Sequence, residues 1–89
     1  MLKKRALEQI LRSFSNHRRI EILVLLSLNP ELSVSEISEK LQITLKLASF
    51  YTKKLTISGL IMKKSRGKEI RHKLTKRGEY ILQFLTQLK

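Results

Sequence analysis

The chain has no cysteine, no aspartate and no tryptophan, and only one proline and three glycines among 89 residues. Without cysteine it can form no disulfide, no thiolate metal site and no cysteine nucleophile. Its two histidines, His17 and His72, stand far apart and lack the spacing of metal ligands. No serine is paired with a base, and no glycine-rich phosphate loop is present. No catalytic constellation can be assembled from such residues, so neither enzyme activity nor a metal or cofactor is expected. Long apolar runs are missing too. The longest, residues 20–28, is interrupted by Glu21 and Ser27 and falls far short of the roughly 20 residues of a membrane span. Lys3, Lys4 and Arg5 are followed by Glu8 and Arg12 rather than by an apolar core, so no signal peptide is expected and the protein should stay where it is made.

Negative charge is scarce as well: 7 acidic residues, all glutamate, stand against 19 Lys and Arg, for a net charge of +12. Between Lys46 and Arg77 every charged residue except Glu69 is basic. A field so concentrated suits a polyanionic partner. The remaining composition, 42% hydrophobic and 29% charged, is that of a globular chain, and its length predicts one domain with a small core.

Residues 2–14 set Leu2, Ala6, Leu7, Ile10, Leu11 and Phe14 at helical spacing, which predicts an amphipathic helix. Asn16 is placed to cap a second helix over residues 17–28, and Asn29-Pro30 to end it, because proline disfavours helix in the residue before it. The run 20–28 also reads as a buried strand, but its length and leucine content favour helix. In "SVSEISEKL" the pair Ser33 and Glu36 forms a capping box that opens a helix at Val34. This helix carries Val34, Ile37 and Leu41 on one face and stops at Gln42-Ile43. Thr44 caps the next, whose inward face is Ala48, Tyr51 or Thr52, and Leu55, with Ile43 in the turn. Gly59 ends it through a left-handed conformation. Two helices joined by so tight a turn cross steeply, as in a helix-turn-helix. Partial alternation in "LIMKKS" and "EIRHKLT" around "RGK" predicts a β-hairpin. Thr75 then caps a last helix over residues 76–89, with Ile81, Leu82, Phe84, Leu85 and Leu88 as its apolar positions. Gly78, in its first turn, has no rationale in the sequence.

In their order and spacing, Arg19-Ile20-x-Ile22-Leu23, Leu32-Ser33-x-x-Glu36-Ile37, Leu55-x-x-x-Gly59-Leu60-Ile61 and Leu74-Thr75-x-x-Gly78 resemble the ArsR and MarR groups of bacterial and archaeal transcription regulators, over about residues 16–82. The resemblance implies a mainly α chain with a small β-hairpin wing (α+β). This is a winged helix-turn-helix in the order helix, helix, short strand, helix, helix, strand, strand, helix. It further implies a dimer in which the helix after Thr44 enters the major groove of DNA. The hairpin tip Arg66-Gly67-Lys68 would reach backbone or minor groove. The residues themselves agree, because the outward positions of that helix, Leu45, Lys46, Leu47, Ser49, Phe50, Lys53 and Lys54, carry basic charge. Lys46, Lys53 and Lys54 suit phosphates or guanine edges, and Ser49 suits a base edge. Thr44 either bonds a phosphate or only caps the helix. Lys64, Arg66, Lys68 and Arg71 are the wing's candidate contacts.

Two departures from the family pattern stand out. Leu47 and Phe50 occupy positions where polar residues, often arginine, are usual. Leu47 suits a thymine methyl, and Phe50 either a sugar or methyl group or packing against the wing or a neighbouring helix. The thiolate positions of metal-sensing ArsR proteins correspond roughly to Ser33 and Ser35 here, and the last helix has no histidine, so metal sensing is not expected.

The terminal helices offer more apolar positions than so small a core needs. This predicts an isologous dimer through Leu2, Ala6, Leu7, Ile10, Leu11, Ile81, Phe84, Leu85 and Leu88. The expected organisation is one domain over residues 1–89, with dimerisation helices at 1–15 and 76–89 flanking a winged-helix core at 16–75. The expected function is sequence-specific binding of double-stranded DNA by a dimeric repressor that occludes a promoter, in the cytoplasm at the nucleoid. A sequence-tolerant architectural DNA binder and a winged-helix protein-interaction adaptor are the alternatives. The sequence indicates no small-molecule effector.

Overall fold

Why the chain changes direction where it does is answered by its caps. The computed structural model describes Arg5 and residues 17–87. Arg5 apart, the helix predicted over residues 2–14 lies, with its neighbour Asn16 and Leu88, outside the described residues. These run in the order α1 (His17–Leu28), β1 (Leu32–Ser33), α2 (Val34–Leu41), α3 (Leu45–Ile57), β2 (Ile61–Arg66), β3 (Glu69–Leu74) and α4 (Lys76–Gln87). At the end of α1 both the backbone N–H and the side-chain amide of Asn29 donate to the Leu25 carbonyl, at 2.9 and 3.0 Å, just before Pro30. The capping box that opens α2 is complete. The Glu36 amide donates to Ser33 Oγ at 3.2 Å, and the Ser33 amide to Glu36 Oε1 at 2.9 Å.

Helix α2 ends at Gln42, which takes the left-handed conformation at φ 55°. The turn is then closed by two bonds between the same residues. The Ile43 amide donates to the Ser38 carbonyl, and the Ser38 hydroxyl to the Ile43 carbonyl at 2.6 Å. Thr44 Oγ1 accepts from the Leu47 amide at 3.1 Å and so starts α3. Past its other end Gly59 takes φ 75°, as expected of the residue that stops the helix.

Ile22, Leu23 and Leu26 of α1 meet Leu32, Ile37, Ala48, Leu55, Leu60 and Ile61 in one buried cluster. Of the two predicted alternatives on α3, Thr52 is the buried residue, its hydroxyl donating to the Ser49 carbonyl, whereas Tyr51 sits at the rim. The sheet is antiparallel in the order β1-β3-β2. Leu32 pairs with His72, and β2 pairs with β3 from Ile61↔Leu74 to Arg66↔Glu69. The hairpin turn is therefore Gly67-Lys68, and Arg66, predicted in the turn, belongs to the strand.

Thr75 fixes the last helix by three bonds. Its hydroxyl accepts from the Gly78 amide at 3.0 Å and donates to the Gly59 carbonyl at 2.6 Å, and its amide donates to the Leu60 carbonyl. Gly78 is buried there, and a Cβ on it would overlap the Leu60 carbonyl oxygen. The glycine without a sequence rationale is thus the point where α4 rests on the backbone leading into the wing. Ile81, Leu82 and Leu85 pack against the core, while Tyr80 and Phe84 remain exposed.

Candidate nucleic-acid interface

Helix α3 buries Ala48, Thr52 and Leu55. At about 100° per residue, the line opposite those three runs through Lys46, Phe50, Lys53 and Ile57, with Leu47 and Lys54 on one flank and Ser49 at the edge of the other, while Leu45 turns toward the buried side at the helix start. All of these are exposed. Lys46, Leu47, Phe50, Lys53 and Lys54 thus share the outward half of the helix with Ser49 at its edge, whereas Leu45, expected outward, lies toward the buried side and is exposed only because it starts the helix. The hydroxyl of Thr44 is engaged by the Leu47 amide.

Phe50 is held rather than loose. Its ring meets that of Tyr51 edge to face, centroids 5.5 Å apart at 68°, and the Lys54 ammonium lies 5.5 Å from its centroid. Tyr51 in turn carries the Arg19 guanidinium at 5.9 Å. The ring partner of Phe50 is therefore its neighbour on the same helix. Even so, 48% of Phe50 and 43% of Leu47 stay exposed.

The wing is wired differently. Arg66 grips Glu31 with two bonds, Nε to Oε1 at 2.9 Å and Nη2 to Oε2 at 3.1 Å, and Lys64 Nζ lies 3.6 Å from the same carboxylate. The Arg66 hydrogen bond holds the Glu31 carboxyl below the usual carboxylate range, and Glu31 raises Arg66 in return. Arg71 donates to the Glu31 carbonyl at 3.1 Å and to Glu69 at 3.1 Å, and lies 3.3 Å from Glu36. It is a strut between the wing and α2. The Ser33 amide is the main cause that lowers the Glu36 carboxyl, and Arg71 adds to it. Of the four predicted wing contacts, Lys64, Arg66 and Arg71 therefore have carboxylate partners within the fold, and Lys68 stands in the turn. Glu31 was not singled out from the sequence, because nothing in local spacing links it to a residue 35 positions away.

His72 is buried, with Nδ1 3.3 Å from the Leu32 carbonyl. Burial pushes its imidazole below the ordinary histidine range and Lys63 adds to the push, while the Leu32 bond opposes it. This is a structural histidine. His17 is exposed, 3.8 Å from Glu21. No group of three or more metal-ligating side chains occurs among the described residues. None of their helices is long and apolar enough to cross a membrane.

Two helices joined by a tight turn, an outward basic second helix and a two-stranded wing define a winged helix-turn-helix. The chain belongs to the winged helix-turn-helix DNA-binding family, whose sequence pattern matches residues 15–62, and this is a DNA-binding family rather than an enzyme family. No curated protein matches the sequence significantly.

Among solved structures, the chain is similar to a homodimeric winged helix-turn-helix DNA-binding domain of Mycobacterium bovis, a possible ArsR-family transcriptional regulator. The TM-score is 0.86 at 20% identity, over 94% of this chain and 78% of that one. It is also similar to the transcriptional regulator HlyU of Vibrio vulnificus, with a TM-score of 0.77 at 28% identity over 92% and 85%. A multiple antibiotic-resistance repressor, MarR, of Listeria monocytogenes gives 0.73 at 22% over 88% and 54%. The winged-helix architecture expected from the sequence is the one observed.

Proposed function

We propose that the protein is a dimeric transcription regulator that binds specific duplex DNA and represses by occluding a promoter. One observation carries this reading: α3, the second helix of the helix-turn-helix, presents Lys46, Leu47, Ser49, Phe50, Lys53 and Lys54 together on its outward half. A major groove about 12 Å wide admits one such helix. In this reading Lys46, Lys53 and Lys54 take phosphates or guanine edges, Ser49 takes a base edge, and Lys68 at the wing tip takes backbone. Thr44 acts chiefly as a cap. Lys64, Arg66 and Arg71 reach phosphate only by exchanging their carboxylate partners.

Residues 16–75 act as the DNA-binding core. The flanking segments 1–15 and 76–89 act as the dimer contacts, with exposed Phe84 and half-buried Ile81 and Leu85 on the α4 side. The homodimeric Mycobacterium bovis domain supports the dimer. A two-fold dimer sets its recognition helices about 34 Å apart and prefers a palindromic site. Such a protein works at the nucleoid, in the cytoplasm.

The test is fluorescence anisotropy on the chain's own upstream DNA and on scrambled duplex, at several salt concentrations. Upstream DNA is expected to bind about a thousandfold tighter or more. Equal, steeply salt-dependent affinities would identify an architectural binder instead, and no binding at low salt an adaptor.

A further inference from the structure

We infer that the apolar part of the α3 surface reads thymine methyl groups, so that the preferred duplex carries thymines where Leu47 and Phe50 face it. The inference rests on the proposed placement of α3 in the major groove. In that groove the base pairs offer donors, acceptors and a single apolar group, the thymine C5-methyl. An apolar side chain pressed on any other base edge leaves a donor or acceptor without its water and without a partner.

Leu47 and Phe50 lie in the first two turns of α3, the part of a recognition helix that reaches base edges. Phe50 arrives preset: Tyr51 fixes the ring from one side and Lys54 stands over it, so little side-chain freedom is lost on docking. Charge decides the class of partner. Lys46 and Lys53 share the central line of the helix with Phe50, and Lys54 lies beside it. An apolar protein surface would have to desolvate these ammonium groups, whereas two phosphate rows flanking a methyl-bearing groove floor match the arrangement.

The experiment uses the full chain and a duplex selected from a random pool, resynthesised with deoxyuridine in place of thymidine. That exchange removes the methyl and keeps the hydrogen-bonding edge. Each buried methyl is expected to contribute about fourfold in Kd, so complete replacement should weaken binding at least tenfold. In a folded Leu47→Ser, Phe50→Ser variant the loss on going to deoxyuridine should shrink below twofold, since the two changes remove the same contact. Affinities equal within twofold for the two duplexes would overturn the inference while leaving the proposed function standing. So would a variant that keeps the full loss. Failure to bind any selected duplex would overturn both.

Discussion

At residue 78 the smallest possible change is expected to be costly. A methyl group there would meet the Leu60 carbonyl oxygen, which is backbone already held by the Thr75 amide and cannot swing aside as a side-chain end would. Gly78→Ala should therefore lower stability by about 1–3 kcal/mol although alanine is the better helix former. A thermal melt followed by circular dichroism should show the midpoint falling by roughly 4–8 °C per kcal/mol. His72 acts on pH dependence instead. Its imidazole is held below its ordinary range in the fold, so on acidification the unfolded chain takes up the proton first. Stability should thus be complete above the ordinary histidine range, fall as pH drops through it, and level off once the depressed folded value is passed. Replacing His72 by glutamine should flatten that part of the melting-temperature profile. Neither residue's role was legible in the sequence, because both depend on partners, Leu60 and Leu32, that only the folded chain brings near.

Among the elements, those with chemically local causes were legible. The Ser33–Glu36 box, the Thr44 and Thr75 caps and the Asn29-Pro30 stop each involve residues within one turn, and each lies where spacing placed it. The choice between Tyr51 and Thr52 was not legible, since neighbouring positions on a helix differ only in which packed surface they meet. The electrostatics of the wing were hidden for the same reason: β2 carries the cations, and the carboxylate that holds them comes from the loop before β1. In the proposed complex this wiring makes Glu31 a rival of DNA phosphate for Arg66. Glu31→Gln should tighten duplex binding and steepen the salt dependence by about one unit, as released Arg66 turns to the backbone. Arg66→Ala should weaken binding by more than one lost phosphate contact, because it also uncovers the Glu31 charge. Adding Glu31→Gln to it should restore part of the loss, as a salt series of anisotropy titrations would read.

For the whole molecule, the charge balance pointed to a polyanion before any element was placed, and the fold turns that excess into a directed surface. Lys46→Glu combined with Lys53→Glu should abolish duplex binding with an unchanged circular dichroism spectrum. Unchanged affinity in the folded variant would remove α3 from the interface. The sheet gives the same kind of residue a second task. Among the described residues nothing pairs with the outer side of β2, so along Ile61 to Arg66 every second residue turns its backbone N–H and C=O to the open edge of the sheet. An open edge of this length is a template on which another chain can add a strand. Lys63 and Lys64 stand in the middle of it, and two such edges brought together would oppose like charges across a strand spacing of about 4.8 Å. The wing's positive charge therefore also guards the molecule against aggregation, and it does so most when no nucleic acid is there to neutralise it.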